Sequence, residues 1–293
     1  GSYSGYLDEI KIDNIARTAD EIAEAYRMGR DHRLTYSLDT NVDLSNNSKL
    51  PFYIAADKPG SYLQTTIGES AFANNEPDSN TVGLWHLEET TGSGAYIKDS
   101  SSYGNHGTPA AKTIFDGKIG KAVYGATINM SNEANFRFER TQPFSISGWI
   151  KIATLASGRG YQYIFNKRLN TSPYTGYELL VADGSDSAVT GAGILRFGLI
   201  NNWTTNTLLV QTNNRVDDGQ WHYVVATYDG SSSASGVKIY IDGIQTPTTT
   251  KYNTLTASIV NSSASPKITT TSYGGVDEVR IDNIARTADD IRQ

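Results

Sequence analysis

Two groups of side chains in this sequence have the types and spacing that chemistry requires. The first is aromatic and polar: Tyr161, Tyr163 and Tyr174 surround Arg168 and Asn170, and Trp203 stands between Asn201-Asn202 and Thr204-Thr205. A flat ring that stacks on a sugar, with amide and charged groups around it to fix hydroxyls, is built from such residues. A Trp in a polar loop is costly to expose without purpose. The competing expectation is that these rings fold over a sheet edge as small loop cores. The second group is acidic, with adjacent pairs at Glu88/Glu89, Asp217/Asp218 and Asp277/Glu278. Neighbours on a strand point to opposite faces, so an adjacent pair cannot act on one atom. The acids of EVRID (278–282) are four residues apart, about 13 Å along a strand.

Other reactive constellations are missing from the sequence. It has no Cys, which excludes disulfide scaffolds, thiol catalysis and Cys-ligated metals. It has no G-x-S-x-G, no P-loop and no H-E-x-x-H. His32, His86, His106 and His222 are scattered, and His86 and His222 each follow a Trp in a strand-like run, which favours a structural role. The formal net charge of −6 is a poor match for a phosphate backbone. No apolar run approaches the roughly 18 residues of a membrane span. Nucleic acid and membrane insertion are therefore not expected.

The elements that position these residues are read from composition and periodicity. The 293 residues carry 27 Gly, 18 Tyr and only 19% charged side chains, a turn-rich composition that leans towards β structure. Short strand candidates recur between Gly/Ser/Asn/Thr loops: 82–88, 122–128, 144–152, 163–166, 177–181, 195–200, 208–212, 221–228, 237–241 and 276–281. Many short strands with turn signals predict an all-β sandwich or barrel. In FSISGWI (144–150), Trp149 shares the Ser face, opposite Phe144 and Ile146. The stretch 30–80 holds a hairpin candidate with a turn at Lys58-Pro59-Gly60-Ser61.

The ends of the chain repeat each other. GYLDEIKIDNIARTADEI (5–22) and GGVDEVRIDNIARTADDI (274–291) agree at thirteen of eighteen positions, 269 residues apart. Each copy reads as a strand followed by a short amphipathic helix, opened in the first by the capping box Thr18-x-x-Glu21. This predicts a tandem-repeat parent, with 1–29 closing a preceding repeat, 30–80 linking and 81–293 forming the main body. The chain opens Gly1-Ser2 and stops inside a helix-like segment, which reads as a piece cut from something longer.

Five motifs then occur in a fixed order: GLWHLEE (83–89) with DSSSYGNHG (99–107), FSISGWIK (144–151), DGQWHYVVATYDG (218–230), YIDG (240–243) and GGVDEVRI (274–281). Over 81–293 they resemble the laminin G-like, concanavalin A-like sandwich family. The resemblance implies a two-sheet antiparallel jelly roll, with one short N-terminal helix and extra N-terminal strands added here. It implies that Trp85, Trp149 and Trp221 are core. Relatives of the fold include retaining glucanases, but their E-x-D-x-x-E strand, with carboxylates about 5–5.5 Å apart, does not occur. A non-catalytic domain is expected, unless a cross-strand carboxylate pair lines an open cleft.

The resemblance also implies calcium. Its best ligand is Asp277, expected on the face carrying Val279 and Ile281, with Asp99 and Glu88 completing the site together with backbone carbonyls. The alternative is that Asp277 accepts backbone N–H groups and Asp99 makes an Asx-turn. Asp8 is the twin of Asp277 in the leading copy. The expected ligand residues are Trp203, Tyr161, Tyr174, Arg168 and Asn170. The function expected is an extracellular or cell-surface adhesion or carbohydrate-binding module, whose partners are a glycan or surface polymer and neighbouring repeats. Alternatives are a spacer repeat that binds nothing and, more weakly, a glycoside hydrolase. Strand-exchanged self-association is expected, because two nearly identical segments compete for one sandwich edge.

Overall fold

A computed structural model describes residues 76–89, 96–185 and 191–292. The leading repeat copy, Asp8, the N-terminal helix and the hairpin around Pro59 lie outside the described residues. The chain divides into two compact units, Gly1–Asn75 and Glu76–Gln293.

Fourteen strands are described. In chain order they are β1 (Thr81–Trp85), β2 (Gly107–Asp116), β3 (Lys121–Met130), β4 (Phe144–Ile152), β5 (Gln162–Arg168), β6 (Gly176–Asp183) and β7 (Ala192–Asn202). Then follow β8 (Asn206–Arg215), β9 (Trp221–Tyr228), β10 (Val237–Ile241), β11 (Ile244–Gln245), β12 (Thr248–Asn253), β13 (Lys267–Thr269) and β14 (Gly274–Asp282). A short helix, α1 (Ala288–Arg292), follows. Hydrogen bonding runs β11-β10-β9-β4-β14-β3-β13-β5-β6-β7-β8-β12, with β1 added to β14 and β2 to β3. β4 and β7 are distant in that order, yet the rings of Phe144 and Phe197 stand 5.7 Å apart. The sheet therefore curls until its two halves face each other, giving the expected jelly-roll sandwich.

The core follows from alternation along the strands. Phe144, Ile146, Ile150 and Ile152 of β4 point inward, as do Tyr177, Leu179 and Val181 of β6 and Leu195, Phe197 and Leu199 of β7. Phe144 meets Phe138, Tyr177 and Tyr228, while Trp85 stacks on Phe136 and Phe165. Burying each such ring contributes roughly 1.5–3 kcal/mol.

Two expectations need correction. Trp85 is core, but Trp149 and Trp221 are only half-buried. Trp149 lies on the outer face beside Tyr223 with the Lys118 ammonium above its ring, and Trp221 stacks on Phe115. The alternation around Phe144 put Trp149 outside, and it prevailed over the expectation drawn from resemblance. The second correction is a β-bulge. Pairing of β14 with β4 slips between Asp277 and Arg280, and Glu278 has φ +52°. Val276, Val279 and Ile281 all face the core, so the bulge absorbs the odd residue. Asp277 is thereby turned to the opposite face, paired with Trp149 rather than aligned with Val279 and Ile281.

Candidate functional site: an arginine-threaded aromatic cleft

Four of the five expected ligand residues come together. Tyr161, Arg168, Tyr174 and Trp203 line a cleft of about 370 Å³, joined by Arg196. This lies within the roughly 300–1,000 Å³ of small-molecule sites. Tyr163 and Arg168 stand on β5, Glu178 on β6 and Arg196 on β7. Tyr174 sits in the β5–β6 turn at φ +64°, and Trp203 sits in the β7–β8 turn. The Trp203 N–H donates to the Pro173 carbonyl at 3.1 Å, and the Thr175 hydroxyl donates to Asn201 O at 2.8 Å, tying the two turns together.

The side chains form a closed circuit. The Arg168 guanidinium lies 5.5 Å from the Tyr163 ring and 5.3 Å from the Tyr174 ring. The Arg196 guanidinium lies 5.0 Å from Tyr161 and 5.5 Å from Trp203. Edge-to-face contacts between Tyr161 and Tyr163 (5.9 Å) and between Tyr174 and Trp203 (6.5 Å) complete it, and Tyr252 of β12 extends it from Trp203 at 6.2 Å. Each cation over a ring face contributes about 0.5–2 kcal/mol, more as water is excluded.

Glu178 anchors this circuit from below. It alternates outward from Tyr177 and Leu179 yet is 0% exposed. A buried carboxylate is tolerable only when paired. Its Oε1 lies 2.8 Å from Arg196 Nη2 and its Oε2 lies 2.5 Å from Arg168 Nε. Burial lowers the pKa of both guanidiniums, but the Glu178 charge, the neighbouring tyrosines and the hydrogen bonds together outweigh it, so both end raised. Arg168 Nη2 also donates to the Tyr163 hydroxyl at 2.6 Å. Burial, reinforced by the Glu178 charge, pushes that phenol up to about 12.

Asn170 does not line the cleft. It is exposed, and its Oδ1 accepts from Lys267 Nζ at 3.0 Å. Arg196 and Glu178 were missed by sequence reasoning. The available signal was a charged residue in the outward phase of an otherwise apolar strand, Glu178 in GYELLVAD and Arg196 in AGILRFGLINN.

The residues expected to hold calcium separate into two places. Asp99 is buried, and its carboxylate accepts from Leu84 N, Ser101 N, Ser101 Oγ and Asn105 N at 2.7–2.9 Å. That is the Asx-turn arrangement, with both oxygens occupied. Asp277 and Glu88 instead meet at the β2–β3 turn. Asp277 Oδ2 accepts from Ile119 N at 2.9 Å, and both Glu88 oxygens accept from Lys121 N at 3.0 Å. Asp277 Oδ1 is buried with no hydrogen-bond partner. Burial, with the charges of Glu278 and Glu88 adding to it, pushes Asp277 up to about 9. Burial raises Glu88 as well, and the charge of Glu278 adds to it. Glu278 itself is engaged by His86 Nδ1 at 2.8 Å.

Among the described residues no three acidic or imidazole groups are gathered as a metal cluster. A cation at Asp277 and Glu88 would therefore draw its remaining ligands from carbonyl oxygens, which suits calcium. An orphaned buried carboxylate oxygen beside a second carboxylate fits such an ion. Turn 117–120 also covers this pair: a Cβ on Gly117 would stand 2.6 Å from Asp277 Oδ2 and one on Gly120 2.1 Å from Glu88 Oε1. Asp277 is thereby fully covered, while Glu88 stays half-buried.

Comparison with known proteins agrees with the fold. A laminin G-type family model, described as the concanavalin A-like lectin/glucanases superfamily, matches residues 124–292, and the chain belongs to this family. A search of curated proteins gave no match. Among solved structures, the binding domain of Paraclostridial Mosquitocidal Protein 1 is similar, with a TM-score of 0.54 and 18% identity over 73% of this chain and 51% of that one. The binding domain of botulinum neurotoxin serotype G gives 0.52 and 14% over 73% and 50%. That of serotype C1 gives 0.51 and 15% over 73% and 51%. This chain spans about half the length of these structures, and the likeness at such identity is one of fold.

Proposed function

We propose that this chain is a non-catalytic carbohydrate-binding module of an extracellular or cell-surface protein, and that its site is the cleft between Arg168, Arg196 and Trp203. The observation that carries this reading is the convergence, from β5, β7 and two turns, of aromatic rings and guanidinium donors around one open cavity. The similar toxin domains are binding domains by their names, which supports a binding role without identifying what is bound here. Calcium at Asp277 and Glu88 is structural in this reading. Neighbouring repeats are the further partners it implies.

The test is titration calorimetry with a panel of oligosaccharides. Wild-type chain should bind at least one member, and Trp203→Ala should weaken that binding roughly five- to thirtyfold, since stacking on one aromatic is worth about 1–2 kcal/mol. Unchanged affinity in Trp203→Ala, with the fold intact, would remove the cleft from the proposal. A second reading, the spacer repeat, is favoured by one specific observation: the faces of Tyr161, Tyr163, Tyr174 and Trp203 are already engaged by the two arginines. Absence of binding across the panel would favour it.

A further inference from the structure

The segment that the chain carries twice has a defined use in its trailing copy. After β14 the backbone passes Ser145 of β4, whose hydroxyl donates to Ile284 O at 2.8 Å and accepts from Arg286 N at 2.9 Å. The Arg286 guanidinium grips Asp78 at 2.7 Å and Asp282 at 2.6 Å. Thr287 and Asp290 then close a reciprocal capping box. Thr287 N and Oγ1 donate to Asp290 Oδ2 at 2.8 Å, and Asp290 N donates to Thr287 Oγ1 at 3.2 Å. Ala288 and Ile291 of α1 finally cover Val225 and Tyr240, an apolar pair on the outer face of β9 and β10.

The residues that make these contacts recur in the leading copy. Asp13, Ile15, Arg17, Thr18, Ala19 and Ile22 are identical to their trailing counterparts, and Glu21 stands where Asp290 closes the capping box. The leading copy also offers more helix. α1 has five residues, too few to persist without the surface it rests on. From Thr18 the helical pattern runs to Met28 before Gly29, and Ala25 and Tyr26 extend the stripe begun by Ala19 and Ile22. Each chain thus has one seat and two segments that fit it, the leading one being longer. A short helix close to a chain terminus is also the kind of element that opens locally at little cost.

We infer that the seat of α1, formed by Asp78, Ser145, Val225 and Tyr240, is an interface for a second copy of this chain, whose residues 13–28 displace α1. The two surfaces in contact differ, so the contact does not close on itself and joins chains head to tail.

The chain has no Cys, so single cysteines can report on this contact. Ala23→Cys marks the segment beside Ile22. Gln245→Cys marks the seat, because Gln245 is exposed and pairs with Tyr240 across β10 and β11. Thr108→Cys, exposed on β2, is the control. Chains carrying Ala23→Cys are labelled with heavy nitrogen, mixed with unlabelled chains of either other variant and joined by a short bismaleimide. Mass spectrometry then counts the dimers that contain one chain of each kind. Gln245→Cys should give about fivefold or more mixed dimer than the control, and adding Ile22→Asp to the labelled chain should remove that excess by setting a carboxylate against Val225 and Tyr240. Equal yields from the two unlabelled variants, or an excess that survives Ile22→Asp, overturns the inference. Either result leaves carbohydrate binding untouched, since neither Ile22 nor Gln245 lines the cleft.

Discussion

Asp277 shows how one backbone irregularity decides the role of a side chain. The bulge at Glu278 turns it from the core face to the underside of the 117–121 turn, where one oxygen is bonded and the other is not. Its carboxyl is raised to about 9 in the folded chain from an ordinary 3.8. The folded state therefore holds a proton that the unfolded state releases. That contribution is complete below the ordinary value and is lost as pH rises through about 9. In EDTA the thermal midpoint should fall between pH 5 and pH 9, and Asp277→Asn should flatten the profile. Calcium should have the opposite effect at pH 8. At a hundredfold excess over its dissociation constant it would add about 2.7 kcal/mol, roughly 5–11 °C for a domain of this size. The rise should be missing in Asp277→Asn. A wild-type midpoint indifferent to calcium would remove the metal from the reading.

At the level of elements, the β2–β3 hairpin is the part that makes the acidic pair possible. Its turn supplies the Ile119 and Lys121 N–H groups, and Gly120 holds φ +55° directly against Glu88. Gly120→Ala should therefore be costly twice over, through the left-handed backbone and through displacement of the carboxylate. We expect a loss of about 2–4 kcal/mol in urea denaturation, together with loss of any calcium response. Gly158 is the control, because it also has positive φ, +84°, but its Cβ would meet nothing within 4 Å. Gly158→Ala should cost only about 1–2 kcal/mol. Equal costs at both positions would show that contact with Glu88 is unimportant. The cleft has the same logic: its residues are spread over β5, β6, β7 and two turns, and only the pairing of those strands brings them together.

Over the whole molecule, α1 reports on the terminal repeat. Ala288 and Ile291 dock on Val225 and Tyr240, on the outer face of β9 and β10. The leading copy carries Ala19 and Ile22 at the matching positions. A second chain therefore has an apolar pair able to compete for this docking place. Light scattering should give an average mass that rises with protein concentration, and Ile22→Asp should lower that rise. A monomer mass at every concentration would sink strand or helix exchange. The unit from Glu76 onward also includes Asp78, which binds Arg286 at 2.7 Å and is lowered mainly by that hydrogen bond.

The sequence by itself determined the class of fold. Alternating apolar residues and frequent turn residues are local properties that predict an all-β sandwich or barrel, and the five ordered motifs, by their resemblance to a known family, imply the jelly roll. It also marked the aromatic loop residues, because a Trp among Asn and Thr is anomalous wherever the chain goes. Short or irregular strands were not legible: β12 is polar and β13 has three residues, so neither carries a periodic signal. The phase of Asp277 was misread because a bulge is a property of two paired strands. Arg196 and Glu178 joined the site only when β5, β6 and β7 were set side by side. Charge pairing across strands depends on register, and register is decided by the packed core rather than by any one segment.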